Sequence, residues 1–271
     1  MPKIHPSAII EPGAQIADDA EIGPAAFIGP KVTIGSGTKI GAFCYIDGCT
    51  TIGANNQFYP HSIAGLPPED YNFKGGETHV KIGDGNIFRE YSRVHGATKE
   101  GGVTTVGDNC FFMSNTHVAH DCHVGNKVIM ITNSVIGGHV TLMDGCIISG
   151  VCAVHQFCRV GRLAMLSGVS AISLDLPPFM VADGRNGIIR NYNSIGLRRN
   201  NFSKEAINAV RSIYKIFFRE GLSKDNAIAR IEAELPKLPE VLEFLDFIKT
   251  SKRGVLRGRG DVPDEEADGR A

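Results

Sequence analysis

The sequence predicts a mainly β fold: a parallel β-helix of hexapeptide repeats, followed by a small C-terminal α-helical domain. Three observations carry this expectation. Large apolar side chains recur every six residues over most of the chain. Glycine is abundant, at 32 of 271 residues, while tryptophan is absent, which suits many tight corners better than a bulky core. The periodicity then stops at Pro177-Pro178, and helical patterns take over.

Ile stands at 4, 10, 16, 22, 28, 34, 40, 46 and 52, and the same register resumes with Ile82, Phe88 and Val94. From Val106 it runs through Phe112, Val118, Val124, Met130, Ile136, Leu142, Ile148, Val154, Val160 and Leu166 to Ile172. Of the 29 register positions from 4 to 172, 25 are Ile, Val, Leu, Met or Phe, where a hydrophobic content of 42% would place about 12 by chance. A helix repeats every 3.6 residues and a strand every two, so a sustained six needs a short strand plus a turn. Three such faces close a triangular coil of 18 residues. Residues 1–176 then make roughly nine to ten coils, about 45 Å of prism at a strand spacing of ~4.8 Å.

Two smaller signals fit this coil. Gly follows the large residue at 23, 29, 35, 41, 53, 83, 107, 125, 137 and 161, where a corner needs either a positive φ or a close backbone approach. Four residues after each large side chain stands a smaller one, such as Ala20, Thr38, Cys44, Cys122 or Val140. The register fails at Ala64, Asp70, Gly76 and Glu100, which places loops over 63–79 and 95–102, thrown out from a rigid scaffold. The β-helix is therefore expected over 1–180.

The helical domain is expected over 190–256. Ser203 caps a helix over 204–219 that Gly221 ends, Ser223 starts a second to 235, and a third follows Pro236 and Pro239 over 240–250. The segment 257–271 is charged, nearly without apolar residues, and reads as a disordered tail.

Composition narrows the function. A net charge of −1 predicts no nucleic-acid partner, and no apolar run approaches the roughly 18 residues of a spanning helix. The first ten residues lack a signal peptide's charged and apolar regions, so the expected compartment is cytoplasmic. No GxGxxG or P-loop is present, so no nicotinamide or ATP cofactor is expected. Six of the seven cysteines, Cys44, Cys110, Cys122, Cys146, Cys152 and Cys158, occupy the small inward position and read as core; no pair has C-x₂-C spacing.

The histidines are less easily absorbed. His117, His120 and His123 share one stretch, with His139 and His155 on later coils. His5 and His123 read as solvated polar residues. His120 is followed by Asp121, a carboxylate able to orient an imidazole, which makes His120 a candidate general base. Gly138 lies 18 residues on, one coil away, where an exposed N–H could hold a developing oxyanion. A zinc site made from several of these histidines, as in a γ-type carbonic anhydrase, is the competing reading. It is disfavoured because consecutive β-helix residues point in different directions, and no metal is expected. A non-catalytic scaffold is a third reading.

The motifs THVAHDCHVGN (116–126), IGGHV (136–140), AVHQFC (153–158), DLPPF (175–179) and IGLRRNNFS (195–203) resemble the UDP-N-acetylglucosamine acyltransferase family, over residues 1 to about 257. The resemblance implies a left-handed β-helix and a homotrimer with sites shared between subunits. It also implies transfer of an (R)-3-hydroxyacyl chain from acyl carrier protein to the 3-OH of UDP-N-acetylglucosamine, the first step of lipid A biosynthesis. On this chain it implies His120 as base, Asp121 as its orienting partner and the Gly138 N–H as oxyanion donor. His117, His139, His155 and Gln156 would line the sugar-nucleotide and acyl pocket, and Asp70 would be a sugar-binding carboxylate reaching toward a neighbouring subunit. Asn193 and Arg199 would contact the uridine diphosphate, and Gly168 would form the floor of an acyl channel long enough for about a hydroxymyristoyl chain. Eight basic residues against two acidic ones between 184 and 220 suit an acidic carrier protein. The chain departs from the family pattern at Asn72, where a Lys often stands two residues after the loop Asp, with Lys74 close by. That departure keeps open a 3-amino sugar acceptor and an amide product.

Overall fold

The structure, a computed structural model, describes residues 1–258; the tail expected over 257–271 lies outside the described residues from 259 onward. Three parallel sheets of two- to five-residue strands form the sides of a triangular prism, with strand order following every third strand of the chain. One face runs from Lys3–Ile4 to Met165–Leu166 and on into a terminal hairpin. A second face runs from Ile9–Ile10 to Ala171–Ile172, and the third from Gln15–Ile16 to Arg159–Val160. Among the described residues every strand pairing is parallel except the last, Met180–Asp183 against Ile188–Tyr192.

The hexapeptide register is the register of the sheets. Ile4 pairs Ile22, Val118 pairs Ile136 and Val124 pairs Leu142, each one 18-residue coil apart. The large side chains stack inward, so that Ile28, Ile46, Met130 and Ile148 are fully buried. The smaller fourth-position residues, from Ala20 through Ser170, are buried beside them. The six cysteines assigned to this position are all buried, and burial pushes their thiols up, Cys44 and Cys110 to about 11 and Cys122 to about 12.

At the corners the structure separates two roles that the sequence left joined. The glycines after the large residues do not have positive φ. A Cβ on Gly35 would lie 2.6 Å from the Gly53 carbonyl carbon of the next coil, and one on Gly161 would lie 2.3 Å from Pro178 N. They are glycines because coils touch there. The left-handed conformation falls two residues later, at Ala25, Phe43, Asp121, His139 and Phe157 among others.

The two excursions are smaller than expected. Residues 63–66 and His79 belong to strands, as do Arg93–His95, and Ala64 sits fully buried in the large-residue slot between Ile46 and Val94. Ile52 pairs Ile82, thirty residues on, and Ile82 pairs Val106, twenty-four on. The loops thus add twelve and six residues to the coil, whole repeats that leave the register intact.

The sheet continues past 180, because the terminal hairpin pairs Met165–Leu166 with Val181–Ala182. Four helices follow: α1 (Ser194–Arg199), α2 (Lys204–Phe218), α3 (Lys224–Glu234) and α4 (Pro239–Thr250). Ser203 and Ser223 cap α2 and α3 by accepting from Ala206 N and Asn226 N, and α4 opens on Pro239. α1 was not anticipated. Arg159 ties this unit to the prism: its Nε lies 3.1 Å from the buried Asp175 carboxylate, and Nη2 donates to the Phe247 carbonyl of α4 at 2.9 Å. Arg257 and Gly258 are not tail, since Ile189 N donates to Arg257 O and Ile189 bridges Gly258.

Candidate functional site

The corner between the second and third faces carries His120 and Asp121. Asp121 takes the left-handed position (φ 57°), which a short polar side chain tolerates, and its N–H donates to Thr104 Oγ1 at 2.8 Å. This turn sets the Asp121 carboxylate against the preceding imidazole, with His120 Nδ1 2.9 Å from Oδ2. Thr98, in the second excursion, donates to the same oxygen from its N–H at 3.1 Å and its hydroxyl at 2.8 Å. Burial favours a protonated Asp121, but the hydrogen bonds from His120 and Thr98 outweigh it and hold the carboxyl below its usual range. An ionised carboxylate only accepts. Nδ1 of His120 is therefore a protonated nitrogen, and in the neutral form of the ring the lone pair is on Nε2.

Gly138 lies directly beneath this imidazole. A Cβ there would meet His120 Cε1 at 2.1 Å and Nε2 at 2.5 Å, so no other residue fits without moving the ring. Gly138 is buried, contrary to the exposed position expected; the ring itself covers it. Its carbonyl accepts from Phe157 N, whereas its N–H has no acceptor among the described residues. His139, also left-handed, stacks on Phe157 at 4.6 Å and stands edge-on to His120 at 5.3 Å, with Nε2 3.6 Å from Asp121 Oδ2. Burial pulls the His139 imidazole below its ordinary value, against the pull of Asp121.

A second group lies on the adjoining face. His117 Nε2 is 2.9 Å from His95 Nδ1 and 3.8 Å from Glu69 Oε2. Burial lowers both imidazoles, His117 to about 4, with the neighbouring His95 adding to the effect. His155 and Gln156 are exposed one coil beyond Gly138, with His155 Nδ1 3.2 Å from the Gln156 carbonyl. Asp70 projects from the first excursion, its Oδ1 accepting from Asn72 N at 2.8 Å, and its charge raises the proton affinity of His139. Lys74 lies over the Tyr71 ring.

The remaining expected residues stand elsewhere. Gly168 is exposed at the opposite edge of the second face, three strands along, with only Gly150 O at 3.6 Å from a Cβ placed on it. Asn193 caps α1, its Oδ1 accepting from Gly196 N and its Nδ2 donating to Leu163 O, both at 2.8 Å. It is only 8% exposed, so its side chain is committed to the fold rather than offered as a free nucleotide ligand. Arg199 is exposed in the last turn of α1.

His95, Glu69 and Thr98 were missed from sequence. Thr98 precedes Asp121 by 23 residues, a separation that becomes contact only because the second excursion lengthens the coil by six. His120, Asp121 and His139 present three ligand atoms within 4.8 Å, as do Glu69, His95 and His117. The Asp121 oxygen, however, is already occupied by His120 and both Thr98 donors.

Comparisons with known proteins bear on the family and the fold. The profile described as UDP N-acetylglucosamine O-acyltransferase, domain 2, matches residues 175–256, and one for bacterial transferase hexapeptide repeats matches 1–36. The chain is 44% identical over 255 residues to the acyl-(acyl-carrier-protein)–UDP-N-acetylglucosamine O-acyltransferase of Anaeromyxobacter sp., covering 94% of this chain and 99% of that protein. Its structure is similar to the crystal structure of the Francisella novicida UDP-N-acetylglucosamine acyltransferase, with TM-score 0.90 and 35% identity over 95% of each chain. It is likewise similar to the Bacteroides fragilis enzyme of that name, with TM-score 0.90 and 38% identity over 93% of this chain and 99% of that one. The β-helix has the left-handed sense of these structures. On identity and coverage together, the chain belongs to the family of acyl-(acyl-carrier-protein)–UDP-N-acetylglucosamine O-acyltransferases.

Proposed function

We propose that the protein transfers an (R)-3-hydroxyacyl group from acyl carrier protein to the 3-OH of UDP-N-acetylglucosamine, the first step of lipid A biosynthesis, in the cytoplasm and without a cofactor. The observation that supports this best is the corner itself: an imidazole held by a carboxylate through Nδ1, above a glycine whose N–H has no acceptor among the described residues.

Nε2 of His120 takes the proton of the sugar 3-OH as that oxygen attacks the thioester carbon. The C=O electron pair moves onto oxygen, and the Gly138 N–H donates to the oxyanion. Collapse of the tetrahedral species breaks the C–S bond, and the thiolate leaves with the proton held by His120. The products are the 3-O-acyl sugar nucleotide and free carrier thiol. Asp121 keeps Nδ1 protonated and stabilises the imidazolium, and Thr98 holds Asp121.

The distribution of the other residues supports a homotrimer. His120 and Gly168 stand at different corners of one prism, Arg199 lies on α1 of the helical unit, and a convex corner has no cleft of its own. Packing the faces of three prisms about a threefold axis would bring one subunit's His120 near a neighbour's Gly168 and Arg199, with Asp70 reaching across. His139, His155, Gln156 and His117 would line that cleft.

The test is turnover with UDP-N-acetylglucosamine and a panel of 3-hydroxyacyl carrier proteins, with products identified by mass. The expected result is an ester product from the native enzyme and a loss of roughly 10²–10⁴-fold in His120→Ala. Product only from the 3-amino sugar would identify the amide-forming relative, and no product from either would refute the assignment.

A further inference from the structure

We propose that Cys49, Glu77 and His79 form a binding site for a divalent transition metal of the zinc–cobalt type. None of the three takes part in the acyl transfer described above, and Cys49 is the one thiol that the hexapeptide core does not absorb.

The β-helix builds this group by register. Cys49 and His79 are direct cross-strand partners on the third face, so their side chains stand side by side on the outer surface. Glu77 precedes His79 by two residues, just ahead of the strand His79–Ile82. The Cys49 thiol, the His79 imidazole and a Glu77 carboxylate oxygen lie within 4.8 Å of one another. Cys49 and Glu77 line a cleft of about 540 Å³ together with Pro30, Lys31, Phe73 and Gly76, and Cys49 and His79 are partly buried.

One sulfur, one nitrogen and one oxygen donor suit a borderline-soft cation, and three protein ligands leave a fourth tetrahedral position for water. Binding replaces the thiol proton: Cys49–SH and M²⁺ give a metal thiolate and one released proton. Lys31 competes, with Nζ 2.5 Å from Glu77 Oε2. The site also bears on the excursions. Glu77 N donates to Glu100 Oε2 and Glu77 O accepts from Gly101 N, both at 2.9 Å. A metal held by Glu77 would thus anchor the bases of both loops, one carrying Asp70 and the other Thr98.

Cobalt(II) titration of the full-length, metal-stripped protein tests this, because a thiolate-to-cobalt charge-transfer band reports sulfur ligation, which neither histidine cluster near the corner can produce. The expected result is one equivalent per chain with that band and tetrahedral visible bands. Cys49→Ser should abolish the charge-transfer band, and His79→Gln should weaken binding at least tenfold, with far-UV circular dichroism unchanged in both. Lys31→Met should tighten binding about two- to fivefold by freeing Glu77. No band at saturating cobalt, or a band persisting in Cys49→Ser, would overturn the site. Unchanged affinity in Lys31→Met would remove Glu77 from the ligand set.

Discussion

Gly138 illustrates how one missing methyl group sets the position of the imidazole proposed as the base. A Cβ at 2.1 Å from His120 Cε1 cannot coexist with the observed imidazole, and the backbone on either side is locked in the coil. Gly138→Ala is therefore expected to lower kcat by about 10²-fold through displaced His120 while the fold survives, measured by turnover beside circular dichroism. Thr98→Val removes one of the two Thr98 donors on Asp121 and keeps the other. A fall in kcat of about tenfold with KM little changed is the expected outcome. His117 has a different consequence. Its folded-state pKa is depressed to about 4 against an ordinary value of 6.5, so the unfolded chain binds more protons between those limits. The stabilisation is complete above about pH 6.5 and is lost as pH falls through 4. Urea unfolding should show up to about 2 kcal/mol less stability at pH 5 than at pH 7, and His117→Gln should flatten that difference.

Within the repeating coil, two kinds of corner residue do different work, and substitution separates them. Gly35→Ala drives a methyl group into the Gly53 backbone of the next coil and should cost about 1–3 kcal/mol by thermal or urea unfolding. Ala25→Gly, at a left-handed position (φ 52°), should be neutral to within about 1 kcal/mol, because relief of the Cβ strain offsets the added chain entropy. The six-residue period was legible because burial of one side chain per face is a local, repeated demand. The ends of the excursions were not: Ala64 broke the expected residue type but kept its buried place, because the strand's position is set by pairing with Ile46 and Val94. Helices α2 to α4 were readable from Ser203, Ser223 and Pro239, whereas α1 is six residues long and depends on the Asn193 cap, whose Nδ2 donates to the Leu163 carbonyl.

At the scale of the molecule, the helical unit is held to the last coils by a polar junction. Asp175 is 1% exposed and receives Arg159 Nε, Arg159 N and Ser251 Oγ. Arg159→Met would leave that carboxylate without its cation and should cost about 3 kcal/mol, read as a lower unfolding midpoint. Sedimentation of the intact protein should give three chains per particle under the proposed assembly, and His120→Ala should leave that mass unchanged.

The amino-acid sequence by itself determined the prism, its inward cysteines, the helical domain and the His120–Asp121 pair, because each rests on a period or on adjacency along the chain. It could not disclose Thr98 against Asp121, His95 against His117, or Glu77 beside Cys49. Those contacts follow from where two excursions re-enter the stack. Asn193 reads the same in sequence whether it binds a nucleotide or caps a helix, and only the surrounding backbone shows the cap. Tertiary structure decided these points because a β-helix turns coil spacing into contact, and an inserted loop changes which residues share that spacing.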